Sequence, residues 1–287
     1  MTSKPKSIKL ASLALTLSMT LGLSIPAHAE LILSGTPSAQ DRTELNKSYE
    51  ALAVQLTQVL GEPVRYVPPV NTQGYAQELR KGSYDILIDG PHLGAWRIAK
   101  GLHKPVAQAD TALTFLVVAQ VSNDSIQSLE QLVGKSVCTH PAPQISTLMY
   151  LNQYPNPLQI PIVRTTEGDQ PQIDKLLNGQ CQAAVVSAAF YENKLSKQEK
   201  DKLRVIFNTR PLPGFVMTAS DKLSAEKREA LSKRLSTANP AKDPLVQALT
   251  KASVSSGDPE KMRWLSVKTD SIKGLENILI EQSYGWQ

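Results

Sequence analysis

The chain has 287 residues, of which 31 are Lys or Arg and 26 are Asp or Glu, a formal net charge of +5. Basic and acidic residues are interspersed, as in KLSKQEKDKLR at 194–204 and DKLSAEKREALSKRL at 221–235. This reads as solvated helix faces and argues against a nucleic-acid partner. No G-x-S-x-G, H-E-x-x-H or Gly-rich phosphate loop occurs, so little supports an enzyme reading.

Lys4, Lys6 and Lys9 precede an apolar run from Leu10 to Leu23 and a small-x-small site ending at Ala29. The pattern predicts a secretory signal peptide over 1–29, cleaved after Ala29, and export to a bacterial periplasm. The apolar run is too short for a membrane-spanning helix. After cleavage 28 basic residues (31 less those three lysines) face 26 acidic ones, so the mature protein is close to neutral. Its roughly 258 residues suffice for two lobes.

Leu31 to Pro37 reads as a buried strand and its turn. Leu45, Tyr49, Leu52, Ala53, Leu56 and Leu60 recur at helical spacing up to Gly61. Pro63–Val67 is β-like, Tyr75–Lys81 is helical and stopped by Gly82, and Tyr84–Ile88 is a strand that runs into Asp89-Gly90-Pro91-His92. Strand, helix, strand, helix, strand predicts a parallel sheet flanked by helices.

The order then repeats. Strands are expected at 116–119, 136–139, 160–164 and 181–186, and helices at 126–133, 146–153 and 170–178, the last stopped by Gly179. ELRKGSYDILID from Glu78 and KLLNGQCQAAVV from Lys175 share a helix end, a glycine stop and a strand, which is a repetition of architecture. A further strand at 215–220 and charged helices to the end, including 274–282, can return the chain to the first unit. Two crossings, near Ala119 and near Pro213-Gly214, would form a hinge.

The cysteines are Cys138 and Cys181. An even count in an oxidising compartment favours a disulfide, with two buried free thiols as the alternative.

The export signal, SYEALAVQLTQVLGEPV from Ser48, YAQELRKGSYDILIDGPH from Tyr75, SLEQLVGKSVC from Ser128 and PQIDKLLNGQCQAAVVS from Pro171 follow one another in an order that resembles the periplasmic substrate-binding proteins of phosphate, phosphite and phosphonate ABC transporters. The resemblance runs from Leu31 to about Trp286. It implies an α/β, two-lobed type II periplasmic-binding fold, each lobe a mainly parallel sheet flanked by helices, with two crossover strands between them. Lobe one is then 30–117 plus 216–287, and lobe two 118–215. It also implies an oxyanion held in the interlobe cleft at strand-end turns and helix N-termini, where unpaired backbone N–H groups and the helix dipole favour negative charge. The matching positions are Thr36–Ser38, Asp89–His92, His140–Thr147 and Ser187. Gln144-Ile145-Ser146-Thr147-Leu148 stands where phosphonate-binding members tend to carry Ser-Thr-Ser-Gly, so the ligand is less determined than the fold.

The expected ligand-binding set is Thr36, Tyr75, Asp89, Gly90, His92, His140, Ser146, Thr147 and Ser187. Asp89 either accepts a hydrogen bond from a protonated oxyanion or an amine, or caps the helix that starts at Pro91. His92 and His140 follow strand ends on opposite lobes; each alone reads as a turn residue, and as a pair they meet ligand or, with Asp89, a divalent metal. Ser146 and Thr147 serve as ligand contacts, as a helix cap, or as both. Tyr75 walls the cleft or packs on its helix face. Arg97 is expected at the surface, His103 in a loop, and Trp264 and Trp286 in packing roles.

The expected function is an exported solute-binding protein that captures a small anionic ligand of the phosphate, phosphite or phosphonate type and delivers it to an ABC permease in the inner membrane. It is expected to be a monomer with no cofactor and no resident metal. The alternatives are the same fold as a sensor for a membrane receptor, or divalent-metal capture by His92 and His140.

Overall fold

The computed structural model describes residues 1–2, 30–36, 42–253, 262–282 and 285–287. The expected signal peptide and Ser38 lie outside the described residues. In chain order the first elements are β1 (Leu31–Gly35), α1 (Arg42–Leu60), β2 (Val64–Tyr66), α2 (Thr72–Lys81), β3 (Ile86–Asp89), α3 (Pro91–Ala99) and β4 (Lys104–Ala109). After β5 (Ala112–Leu113) come β6 (Phe115–Gln120), β7 (Ser136–Thr139), α4 (Ile145–Leu151), β8 (Ile162–Thr165), α5 (Asp169–Leu177), β9 (Ala183–Ser187), α6 (Ala188–Asn193), α7 (Lys197–Lys200) and β10 (Leu203–Asn208). The chain returns through β11 (Leu212–Pro213) into β12 (Val216–Ala219), α8 (Ala225–Thr237), α9 (Pro244–Ser253), β13 (Trp264–Leu265), α10 (Thr269–Ile272) and α11 (Glu276–Gln282).

Local chemistry explains the early elements. Along α1, Tyr49, Leu52, Ala53, Leu56 and Leu60 are buried at helical spacing, and Gly61 follows with φ of 65°. Asn71 caps α2 by accepting from the Gly74 backbone N–H, and Gly82 ends it in the left-handed region at φ of 71°. All four residues of β3 are buried, as are all four of β12 beside it, which matches strands covered on both faces.

The strands form two larger sheets. One has the order β13-β4-β12-β3-β1-β2, with β1 parallel to β2 and β3, and β12 antiparallel to β3 and β4. The other has the order β10-β6-β9-β7-β8, with β7 parallel to β8 and β9, and β6 antiparallel to β9 and β10. The segments that pass between the sheets are β5 and β11, which pair antiparallel with Leu212 opposite Leu113 and Pro213 opposite Ala112. The second of these segments, β11, covers Leu212–Pro213. The first precedes Phe115 and does not lie near Ala119, because Ala119 is inside β6, paired to both Arg204 and Ala183.

Two local expectations are corrected, and one strand was not expected. The helix expected over 126–133 is a single 3-10 turn at Glu130–Leu132. Within KLSKQEKDKLR only Lys197–Lys200 is helical, closed by a Ser196/Glu199 capping box, and Leu203 already belongs to β10. The segment 104–109, which lacks a clear periodicity in the sequence, is β4.

One apolar cluster is shared by both sheets' helices. Leu93 and Trp96 of α3, Leu148 and Met149 of α4, and Ile278 and Leu279 of α11 belong to it. Trp96 Nε1 donates to the Trp286 carbonyl at 2.8 Å, and the two indoles meet edge to face. Trp286 and Trp264 are buried packing residues, as expected.

Candidate ligand site between the strand-end turns

The β3–α3 turn is held by a buried polar network whose proton positions follow from its partners. His103 Nε2 lies 3.1 Å from the Tyr84 carbonyl, which can only accept, so Nε2 carries the proton and Nδ1 is an acceptor. The Thr218 hydroxyl therefore donates to His103 Nδ1 at 3.0 Å, and its oxygen accepts from Arg97 Nε and Nη2. Arg97 Nη1 and Nη2 grip the two oxygens of Asp89 at 2.7 and 2.9 Å, and the Tyr75 hydroxyl donates to Asp89 Oδ2. Side-chain exposure is 0% for both Arg97 and Asp89.

Arg97 is thus not at the surface, and His103, which does lie in the loop between α3 and β4, is buried rather than solvated: both are members of this network. An amphipathic reading of α3 misses the inward Arg because a charged residue is buried only where a partner of opposite charge awaits it. Burial pushes the His103 pKa down to about 4, with the Arg97 charge acting in the same direction. Burial, and next the Asp89 charge, raise the Tyr75 pKa well above its ordinary value, so the phenol stays a donor.

His92 stands in the first turn of α3. Its Nε2 lies 2.8 Å from the Pro143 carbonyl, in the turn between β7 and α4 of the other sheet. That oxygen accepts only, so Nε2 carries the proton. Burial pushes the His92 pKa down to about 4 against the opposing Pro143 carbonyl, so the ring is neutral at pH 7. Gly90 is required by this packing, since a Cβ there would lie 2.8 Å from His92 Cε1 and Nδ1.

The opposing turn gathers His140, Ser146, Thr147, Asp169, Gln172 and Ser187. Thr147 Oγ1 donates to the His140 carbonyl, and Thr139 Oγ1 lies 2.8 Å from Thr147 Oγ1. His140 Nδ1 faces Ser146 Oγ at 3.2 Å and Gln172 Nε2 at 3.1 Å, and its Nε2 is 3.6 Å from Asp169 Oδ1. Burial lowers the His140 pKa, against Asp169 and Glu167, so this ring too is neutral at pH 7. Burial also raises the Asp169 pKa, against His140 and Ser187. Ser187 caps α6 by accepting from the Phe190 N–H, and its hydroxyl donates to Asp169 Oδ2 at 2.9 Å.

The structure therefore sets the expected residues in two groups. Asp89, Gly90 and His92 lie along the β3–α3 turn with Tyr75 reaching Asp89 from α2, and His140, Ser146 and Thr147 lie along the β7–α4 segment with Ser187 at the end of β9 joined to it through Asp169; a hydrogen bond from His92 to Pro143 links the two groups. Thr36 follows β1, its backbone N–H 3.4 Å from the Ile88 carbonyl and its buried hydroxyl without a partner among the described residues. Both oxygens of Asp89 accept within the network, Oδ1 from Arg97 and Oδ2 from Arg97 and Tyr75. Among the described residues no group of three or more His, Cys, Asp or Glu side chains is placed to hold a metal ion. Asp169 and Gln172 escaped the sequence reading. Gly168-Asp169 at the start of a helix was an available signal, but only the fold sets that helix start beside His140.

Cys138 of β7 and Cys181, just before β9, are joined in a disulfide with Cα atoms 5.8 Å apart. The bond lies beneath the His140 turn, two residues before it in the chain.

Two α/β units with parallel strands at their centres, joined by a pair of antiparallel crossover strands and meeting through strand-end turns, define a type II periplasmic-binding fold. The family of ABC-transporter phosphonate periplasmic substrate-binding proteins matches residues 35–261, and the chain belongs to that family. Among solved structures, PhnD1 from Prochlorococcus marinus, in complex with methylphosphonate, superposes with a TM-score of 0.68 at 16% identity, covering 88% of this chain and 97% of that one. A Xanthomonas citri protein bound to chloride ion gives 0.69 at 14% identity, covering 88% and 98% of the two chains. A binding component of an ABC phosphonate transporter from Pseudomonas aeruginosa gives 0.65 at 14%, covering 89% and 87%. No curated protein sequence matches the chain.

Proposed function

We propose that the protein captures a small oxyanion of the phosphonate, phosphite or phosphate type between the β3–α3 and β7–α4 turns and delivers it to an ABC permease. The observation that carries this reading is the family match across residues 35–261, over a fold whose strand-end turns meet at His92 and Pro143. Thr36, His92, His140, Ser146, Thr147 and Ser187 are the proposed contacts, while Tyr75, Asp89 and Gly90 shape the turn that presents His92. Capture requires preorganised donors and a hinge, and no nucleophile, so we read the chain as a binding protein and not an enzyme. Its lobes exchange the chain at β5 and β11; against the expected 30–117 plus 216–287 and 118–215, the first boundary moves back to the residues before Phe115, so that 115–117 go with the second lobe.

We further propose export by a signal peptide over 1–29 cleaved after Ala29, and a monomer in the periplasm without nucleic-acid partners. Amino-terminal sequencing of the exported protein should begin at Glu30. In thermal melts, methylphosphonate, phosphite or phosphate at about 100 times its Kd should stabilise by about 2.7 kcal/mol, which is several degrees in Tm. Amino acids and zinc should not. If none of the three oxyanions moves the transition, the reading fails.

A further inference from the structure

The helix α11 touches both lobes, and the two helices it touches are those that start at the site. α3 leaves the turn that carries His92, α4 leaves the turn that carries Pro143, and α11 packs on each of them. Leu93 and Trp96 of α3, Leu148 and Met149 of α4, and Ile278 and Leu279 of α11 lie in one apolar cluster, with Leu279 fully buried.

The segment that carries α11 is fastened to the first lobe. Before it, β13 pairs with β4 and α10 packs on α3. Beyond it, the Trp286 carbonyl accepts from Trp96 Nε1 at 2.8 Å, and the Trp286 ring meets the Trp96 indole edge to face. The Arg80 guanidinium of α2 lies over the same Trp286 ring, 5.1 Å from its centre. α4, in contrast, rises from β7 and packs on β9 of the second lobe. When the lobes part, α11 therefore travels with α3, and the apolar surface between α11 and α4 is the part that meets water. The cost of exposing it grows with its area, so the contact resists opening and leaves the approach of ligand to the open form unhindered.

We infer that α11, pinned by Trp286, is a latch: in the closed form it holds α4 against the first lobe and so sets how long the site keeps its ligand. The inference rests on the proposed capture between the lobes and adds to it an element outside the proposed contacts.

Spin labels on Lys233→Cys of α8 and Lys197→Cys of α7, both exposed and on opposite lobes, read the closed fraction of the purified protein by pulsed electron paramagnetic resonance. Ile278→Ala with Leu279→Ala should lower that fraction with and without methylphosphonate. Stopped-flow release of methylphosphonate should quicken by about tenfold, the effect of losing part of an apolar side chain's burial, while its association rate stays within about twofold. Trp286→Ala should act in the same direction, and Trp286→Phe, which keeps a ring for Trp96 and Arg80, should restore most of the closed fraction; this pair decides the question if the α11 variant does not fold. Distance distributions and release rates unchanged in the variants overturn the latch and leave the oxyanion reading standing. If no oxyanion binds, that reading falls, and the ligand-free distances decide the latch: a closed fraction lowered by the variants supports it, and an unchanged one overturns it.

Discussion

His92 and Pro143 are 51 positions apart in sequence and share a 2.8 Å hydrogen bond, imidazole N–H to carbonyl, that joins the turn after β3 to the turn before α4. The bond fixes the tautomer of His92 and, with it, the direction in which its free nitrogen can accept. It is also a contact that opening of the cleft must break.

Replacing His92 with Ala should remove this tie and leave the Pro143 carbonyl buried without its donor. We expect a loss of about 2 kcal/mol in the ligand-bound form and a faster ligand off-rate. Urea melts with and without methylphosphonate, together with stopped-flow dissociation, measure both; an unchanged off-rate would remove His92 from the closing mechanism.

Arg97→Met alone strands the Asp89 carboxylate in the interior, where breaking a buried pair typically costs about 3–5 kcal/mol. Pairing it with Asp89→Asn should recover part of that loss. A double-mutant cycle by urea denaturation reads the coupling, and strictly additive losses would contradict the network.

His92 and His103 are each held near pKa 4 in the folded protein by burial, against about 6.5 when unfolded. The unfolded chain therefore binds more protons between these values, so stability is fully present above pH ~6.5 and falls as pH drops toward 4. Each ring contributes on the order of 3 kcal/mol to that loss. Denaturation midpoints across this window should fall steeply, and His103→Gln, which removes one titrating ring, should make the slope shallower; the same slope in that variant would place the proton uptake elsewhere.

Reducing Cys138–Cys181, or replacing both by Ser, should lower stability by about 3–4 kcal/mol, the loop-entropy estimate for a 43-residue separation. Because β7 leads directly into the His140 turn, ligand affinity should weaken as well. Thermal melts with and without dithiothreitol measure the first effect and calorimetry the second.

Much of the fold was legible in the sequence because it is written in local periodicity. The face Tyr49, Leu52, Leu56, Leu60, the glycine stops Gly82 and Gly179, and the buried run Ile86–Asp89 each announce their element through spacing and turn chemistry. The elements that were missed have other causes. Lys104–Ala109 is a strand by its place between β12 and β13, and the first crossing is set by pairing with β11, which no local pattern encodes.

The site divides in the same way. Sequence alone delivers Asp89, His92, His140, Ser146 and Ser187 to strand ends, because a strand-to-helix turn exposes the residues that follow the strand. It does not say that Asp89 is spent on Arg97, that Arg97 points inward, or that Asp169 and Gln172 converge on His140. Those are decided by contacts between residues far apart in the chain and by burial. Burial removes the water that would otherwise satisfy each polar atom, and so ties each of these side chains to the partners that the fold supplies.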